Sequence, residues 1–178
     1  MSRVSSSNVP IPFWDKMGRT GRMLVGTAII VLIGFVGICY AAPLGIQYLW
    51  PIAGIWAAIG WGASRASMRP VLALILVGLM MDLSQGAPLG CWPAIQLIGY
   101  LVSSAFRTRT LTDTTGVFRA LGDVAAFAAT FFFARWIIGG YLGGMATQDL
   151  LGNFLTTGLL YFPMRSFFLL TNDERVGL

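Results

Sequence analysis

The chain has 178 residues, of which 56% are hydrophobic and only 11% charged, and its mean hydropathy is +0.74. A soluble domain carries about 25% charged residues, so this composition excludes an ordinary water-soluble globular domain. The polar residues form short islands between long apolar runs, which is the pattern of a helical membrane protein. We therefore expect an all-α, polytopic membrane protein, whose net charge of +5 suits anionic membrane lipid and needs no nucleic acid to explain it.

In chain order, residues 1–22 are expected to form a cytoplasmic or interfacial segment. Residues 23–170 are expected to form one bundle of six transmembrane helices, and residues 171–178 a short cytoplasmic tail. A straight span needs about 20 residues, so the second and third apolar runs must borrow flanking residues, and five spans is the alternative. The runs that predict these helices are Met23–Ala42, Leu49–Ala63, Val71–Leu83, Leu89–Phe106, Val117–Tyr141 and Leu150–Leu170.

The Lys and Arg residues predict the orientation, because cytoplasmic loops are enriched in them. All except Arg135 lie before the first run, between the second and third, between the fourth and fifth or at the start of the fifth, or around and after the sixth. Both termini are therefore expected to be cytoplasmic. The residues expected to anchor this face are Arg19, Arg22, Arg65, Arg69, Arg107 and Arg109.

Few groups within the runs can carry chemistry. Histidine is absent, which removes Ser-His and Cys-His catalysis and the common metal sites. Asp82 and Asp123 fall near opposite membrane faces, so they do not form a catalytic dyad. Nothing in the sequence indicates a catalytic activity, a metal or a cofactor. Cys39 and Cys91 are expected to be free thiols, although both fall near the outer surface, where a disulfide is chemically possible.

Asp82, near the outer end of the third run, has two interpretations. An ionised residue in lipid costs on the order of 3 kcal/mol and is normally paired or functional. Arg135 lies at about the same depth, so the two residues can form a contact that joins the third and fifth runs. Alternatively, Asp82 caps a helix or meets interfacial water, and Arg135 extends outward past Gly139. Asp123 is expected to pair with Arg119, four residues earlier on the same helix.

Small residues and amides within the runs predict helix packing. Gly139 and Gly143 have the GxxxG spacing that allows two helices to approach closely. The stretch Gly54–Gly62 is similarly rich in small residues, and either could dock helices within the protein or with a partner. Asn153 and Gln96 are expected to form hydrogen bonds between helices, and a ligand contact is the less favoured role.

The stretch GLMMDLSQGAPLGCWPAIQLIGYLV, residues 78–102, resembles the central signature of the MreD family. In that family an apolar helix ends in a Leu-Asp-Leu-type run with a small residue and Gly. A short Pro-Leu-Gly turn follows, and the next helix carries a Gly-Tyr-Leu element. Overall length, span number and a short basic tail are also similar. The matching residues here are Asp82, Gly86, Pro88, Leu89, Gly90, Gly99, Tyr100 and Leu101.

This resemblance implies a non-catalytic scaffold subunit of the bacterial rod-shape (elongation) complex, located in the inner membrane and supporting lateral peptidoglycan synthesis and cell-shape control. The implied partners are the single-span protein MreC, the RodA glycosyltransferase, a class B penicillin-binding transpeptidase and, indirectly, the MreB cytoskeleton. The alternative is a small-molecule-binding membrane subunit of a transporter, similar to the substrate component of energy-coupling-factor transporters. The residues expected to form an outward polar corner that receives a partner helix are Asp82, Gln85, Gly86, Pro88, Gly90 and Arg135.

Overall fold

The computed structural model describes residues 18–37, 39, 50–64, 67–110, 116–141 and 147–170. These residues form helices and no strand, so the expected all-α class is confirmed. Arg65 and Gly143 lie outside the described residues, and so do the side chains of Arg109 and Arg119. The six helices are α1 (Arg19–Val36), α2 (Ala53–Gly62), α3 (Met68–Gln85), α4 (Cys91–Thr110), α5 (Gly116–Tyr141) and α6 (Thr147–Phe168).

Within the described part of the chain, 3 helices are long and apolar enough to cross a membrane: α1, α3 and the segment Ala120–Gly140 of α5. Helix α2 has only 10 residues. At a rise of 1.5 Å per residue it is about 15 Å long, roughly half the thickness of the ~30 Å hydrocarbon core. The second apolar run of the sequence therefore contains a helix that is too short to cross a bilayer by itself.

Helix α2 lies in the core, and every one of its residues is buried. A helix that is apolar on all sides is expected to be buried in this way. Its glycines allow close contact with neighbours: a Cβ atom on Gly62 would lie 2.5 Å from the carbonyl oxygen of Tyr100 in α4, and one on Gly60 would lie 2.5 Å from the Cβ of Phe168 in α6. The small residues of Gly54–Gly62 thus dock helices within the protein.

The N-terminal end of α2 is hydrogen bonded by α6. The backbone N–H of Ile52 donates to the hydroxyl of Thr157 at 2.8 Å. The indole N–H of Trp56 donates to the carbonyl of the same threonine at 2.7 Å. One residue of α6 therefore satisfies two buried donors, one directly before α2 and one within it. Each donor would be costly to leave without an acceptor.

The C-terminal end of α2 is hydrogen bonded mainly by α4. The Ser103 hydroxyl donates to the carbonyl of Ile59 at 2.8 Å, and the Arg107 guanidinium donates to the carbonyl of Ala63 at 2.8 Å. A cation at this position also interacts favourably with the negative end of the helix dipole. Arg107, expected only as a membrane-face anchor, thus helps to terminate the central helix.

The described cations other than Arg135 lie at one end of the bundle. Arg69, in the first turn of α3, donates to the hydroxyl of Thr20 in the first turn of α1 at 3.2 Å. Arg107 lies at the C-terminal end of α2, as described above. Consecutive helices run in opposite directions. The N-terminal ends of α1, α3 and α5 therefore lie at the same end of the bundle as the C-terminal ends of α2, α4 and α6. Arg19 and the buried Arg22 occupy the first turn of α1 at this end.

Gly62→Ala tests the close contact between α2 and α4. The added methyl group would meet the backbone of Tyr100, which a side-chain rotation cannot move, so we expect a loss of about 1–3 kcal/mol in the free energy of unfolding. Gly158→Ala in α6 is the matched control, because nothing lies within 4 Å of a Cβ atom there. Alanine at that position should be neutral or stabilise the helix by up to about 1 kcal/mol. Unfolding of the purified protein in detergent measures both, and equal stabilities would contradict the contact.

Candidate functional site

Asp82 lies in the last turn of α3, and its side chain is fully buried. The carboxylate accepts two backbone N–H groups at the start of α4: that of Gly90 at 2.7 Å and that of Trp92 at 2.9 Å. The residue that directly precedes a helix usually supplies such a cap from its own side chain. Here that residue is Gly90, which has no side chain. Asp82 therefore caps α4 from the preceding helix, where the helix dipole also favours a negative charge.

The other N–H groups in the first turn of α4 also have acceptors. The N–H of Cys91 donates to the carbonyl of Pro88 at 3.1 Å, and that of Ala94 donates to the carbonyl of Gly90 at 3.0 Å. Pro93 has no N–H group to satisfy. The buried carboxylate and the start of α4 therefore satisfy each other, and the first turn of α4 requires no water.

Glycine closes the end of α3. Gly86 has φ 64° and ψ 24°, a left-handed conformation that glycine adopts without steric cost. The main-chain carbonyl of Asp82 accepts the N–H of Gly86 and that of Ala87, the latter at 3.0 Å. Asp82 therefore ends α3 with its main chain and begins α4 with its side chain.

Close contact between α3 and α4 brings the carboxylate to its donors. A Cβ atom on Gly78 would lie 2.5 Å from the nitrogen of Pro93. Gly78 precedes Asp82 by one turn and shares its face of α3, so its missing side chain sets the short distance between the helices. On the other side of the turn, the indole N–H of Trp92 donates to the side-chain oxygen of Gln85 at 3.0 Å.

The Gly-Tyr-Leu element lies further along α4. The Tyr100 hydroxyl accepts the N–H of Ser67 at 3.3 Å and donates to the carbonyl of the same residue at 3.4 Å. Gly99 faces α5, where a Cβ atom would lie 2.8 Å from the hydroxyl oxygen of Thr130, and Leu101 is exposed. The α3–α4 pair is therefore joined by Asp82 near one end and by Tyr100 near the other.

The structure does not bring Asp82 and Arg135 together. Arg135 lies on the exposed face of α5, and within the described part of the chain it has no hydrogen bond or ion pair. Of the two interpretations of the sequence, the structure shows the one in which Asp82 caps a helix. The reason is that backbone amides occupy both carboxylate oxygens, and such charge-assisted hydrogen bonds stabilise the anion without a cation. The other five residues of the expected polar corner do lie together.

The residues expected to mediate helix packing behave differently from one another. Gly139 is exposed, and nothing lies within 4 Å of a Cβ atom there, so it docks no described helix. The Oδ1 atom of Asn153 is buried without a hydrogen-bond partner, so it does not form the expected bond between helices. Gln96 is buried and donates from Nε2 to the sulfur of Met81 in α3 at 3.4 Å.

An ion pair that the sequence analysis missed joins α5 and α6. Nη2 of Arg165 lies 3.1 Å from Oδ2 of Asp123, and the two side chains are 27% and 9% exposed. Arg119, the expected partner, has its side chain outside the described residues. The available signal was the antiparallel order of the helices, which places an acidic residue near the start of α5 beside a basic residue near the end of α6.

The described residues contain no group of three or more potential metal ligands. Cys39 is exposed and Cys91 is buried, and both are free thiols. A surface cavity lies along α1. It is lined by apolar side chains and one threonine: Leu24, Ala28, Val31, Leu32, Phe35 and Thr27. The polar geometry is therefore that of a hydrogen-bonded helix junction, and the cavity suits hydrocarbon rather than a polar ligand.

These features define an all-helical protein with helices that suit a membrane. Comparison of the chain with models of protein families, with curated proteins and with solved structures finds no match. The features that bear on function are therefore the geometry of the α3–α4 junction and the resemblance within residues 78–102.

Asp82→Asn tests the cap. The asparagine keeps one oxygen acceptor, but its amide group then faces a backbone N–H that has lost its acceptor, so we expect a loss of about 1–3 kcal/mol in the free energy of unfolding. Hydrogen exchange at the amides of Gly90 and Trp92 should accelerate. Ser84→Ala, two residues further along at an exposed position, is the control and should change stability by no more than about 0.5 kcal/mol. Equal effects of the two substitutions would count against the cap.

A double-mutant cycle on Asp123→Asn and Arg165→Met tests the ion pair. Both groups are largely removed from solvent, so we expect a coupling energy of about 1–3 kcal/mol between the two substitutions. Unfolding measurements on the two single variants, the double variant and the parent chain supply the cycle. Additive effects, with a coupling energy near zero, would show that the pair does not stabilise the contact between α5 and α6.

Proposed function

We propose that this protein is a non-catalytic scaffold subunit of a bacterial rod-shape complex, similar to members of the MreD family. The proposal is carried by one observation: the residues of the resemblance that surround Asp82 form a single hydrogen-bonded junction between α3 and α4. If the resemblance were due to chance, its carboxylate, its glycines and its turn would not be expected to form one hydrogen-bonded junction.

The chemistry of the junction favours a mechanical role. Both oxygens of the Asp82 carboxylate are engaged by backbone N–H groups, and the side chain is fully buried. A general acid or base must reach the proton that it transfers, directly or through one water molecule, and this carboxylate is not presented to any described cavity. Its effect is to fix the angle and separation of two helices, which is what a scaffold needs from its framework.

The outward surface supports a location among lipids and partner helices. Large apolar side chains point away from the core on several helices, for example Phe35 of α1 at 63% exposed, Leu76 of α3 at 65% and Leu159 of α6 at 75%. Apolar patches of this extent on a protein mark membrane or protein contact surfaces. In the proposed arrangement the chain crosses the inner membrane with its cation-rich end in the cytoplasm, and local bilayer thinning accommodates the short α2.

The proposed partners are an MreC-like single-span protein, a RodA-like glycosyltransferase and a class B penicillin-binding transpeptidase, with the MreB cytoskeleton bound indirectly. The alternative is a transporter subunit that binds a polar small molecule. The cavity described on α1 is apolar and does not suit such a ligand, and the amide of Gln96 is fully buried beside Gly54.

Affinity purification of the tagged protein from its own membranes tests the proposal. In a mild detergent, we expect the protein to bring down an MreC-like single-span protein and the two synthesis enzymes in reproducible amounts. An unrelated polytopic membrane protein with the same tag is the control for non-specific recovery. Recovery of the protein alone, or together with the ATPase module of a transporter, would contradict the scaffold function.

A further inference from the structure

One face of α5 has no neighbour within the described protein. Its exposed residues recur every three or four positions, as expected for one side of a helix. Phe132 is 66% exposed and Trp136 is 73% exposed, so the surface is strongly apolar apart from a single cation. We call this surface the α5 stripe, and its members are Val124, Ala128, Phe132, Arg135, Trp136 and Gly139.

Arg135 is the feature of the α5 stripe that lipid alone does not explain. A guanidinium group presents five N–H donors and no acceptor. Arg135 lies within Ala120–Gly140, a segment long and apolar enough to cross a membrane. Charged residues within such segments are rare and normally pair with another group. Within the described protein, however, Arg135 has no ion pair or hydrogen bond.

The depth of Arg135 separates it from the membrane surface. The residue lies five positions before Gly140, or about 7.5 Å from that end of the segment. The Cα–Cβ bonds of an α-helix tilt toward its N-terminus, so a guanidinium group at this position reaches a phosphate at the nearer surface only with its side chain extended against that tilt. A carboxylate at the same depth on an adjacent helix requires no such extension.

A second copy of this chain does not offer a suitable anion within the described residues. The acidic side chains described in the helices are Asp82 and Asp123, which are 0% and 7% exposed. Asp82 is bound by the start of α4, and Asp123 faces Arg165. Neither is presented on a surface where another copy could reach it.

We infer that the α5 stripe docks a transmembrane helix of a different protein, and that this helix carries an Asp or Glu at the depth of Arg135. A carboxylate accepts two parallel N–H bonds from a guanidinium group, which fixes both the partner and its register. Ala128 and Gly139 are small, so the partner helix can approach α5 closely on either side of the ion pair. The inference rests on the proposed function for the identity of the partner, a single-span protein.

Site-specific photo-crosslinking in intact membranes tests this inference. A photoreactive amino acid replaces Phe132 in the α5 stripe, and the control places it at Leu76 of α3, which is 65% exposed on another helix. Mass spectrometry identifies the crosslinked peptide. We expect the probe at Phe132, and not the probe at Leu76, to label a membrane-spanning peptide that contains Asp or Glu.

Substitutions at Arg135 then test the ion pair. With the probe at Phe132, Arg135→Leu should lower the crosslinking yield by about tenfold, the change that corresponds to roughly 1.4 kcal/mol of association energy. Arg135→Lys keeps the charge and should retain most of the yield. Arg135→Glu should abolish crosslinking, and Asp or Glu→Arg in the partner peptide should restore it.

Several outcomes would overturn the inference. They are adducts with lipid only, a peptide from a second copy of this chain, a partner peptide without an acidic residue, and a yield that Arg135→Leu leaves unchanged. If the affinity purification still recovers the single-span partner in those cases, only the assignment of the α5 stripe fails. If the partner is absent from both experiments, the scaffold function fails as well.

Discussion

The central constraint on this structure is that α2, a helix of ten residues, is buried on every side. The backbone N–H and C=O groups at its two ends have no partner within the helix and are out of reach of water, so other protein groups must bond them. The neighbouring helices meet this constraint with hydroxyls and one guanidinium group: Thr157 binds the start of α2, while Ser103 and Arg107 bind its end. The same solution recurs at the α3–α4 turn, where Asp82 supplies a cap that Gly90 cannot. These polar side chains thus join helix ends, and large apolar side chains face outward on several helices.

Much of the fold could be predicted from the sequence. Each helix overlaps one apolar run, because a long run without charges in this composition has few alternatives to a helix in lipid. The burial of α2 could be predicted only in part from the sequence. A helix that is apolar on all sides suits either a protein core or lipid, and the property that decides between them is steric: Gly60 and Gly62 admit backbone atoms of α6 and α4 at distances that a larger residue forbids. Such contacts depend on which helices are adjacent, and a single sequence does not specify this.

The sequence predicted most of the residues that form the candidate site, but only some of the contacts between them. The turn around Asp82 was identified, but its charge could be balanced by Arg135 or by backbone N–H groups, and the choice depended on the short distance between α3 and α4. Asp123 shows the same limit, because a partner four residues away on the same helix is the simplest expectation from the sequence. The expected pairing with Arg119 stays a prediction, since that side chain lies outside the described residues, whereas the ion pair with Arg165 reaches the next helix. Contacts that cross between helices require the three-dimensional order before they can be paired.

The contacts of Thr157 have a consequence for biogenesis. The hydroxyl that accepts the buried N–H of Ile52, directly before α2, is 105 residues further along the chain. A ribosome therefore makes α2 well before it makes the residue that completes the core. Until then the buried donors at the start of α2 need water or another protein as acceptor, so assembly finishes from the C-terminal side. A chain whose synthesis stopped before α6 would be an incomplete product for proteases to remove, instead of a smaller working protein.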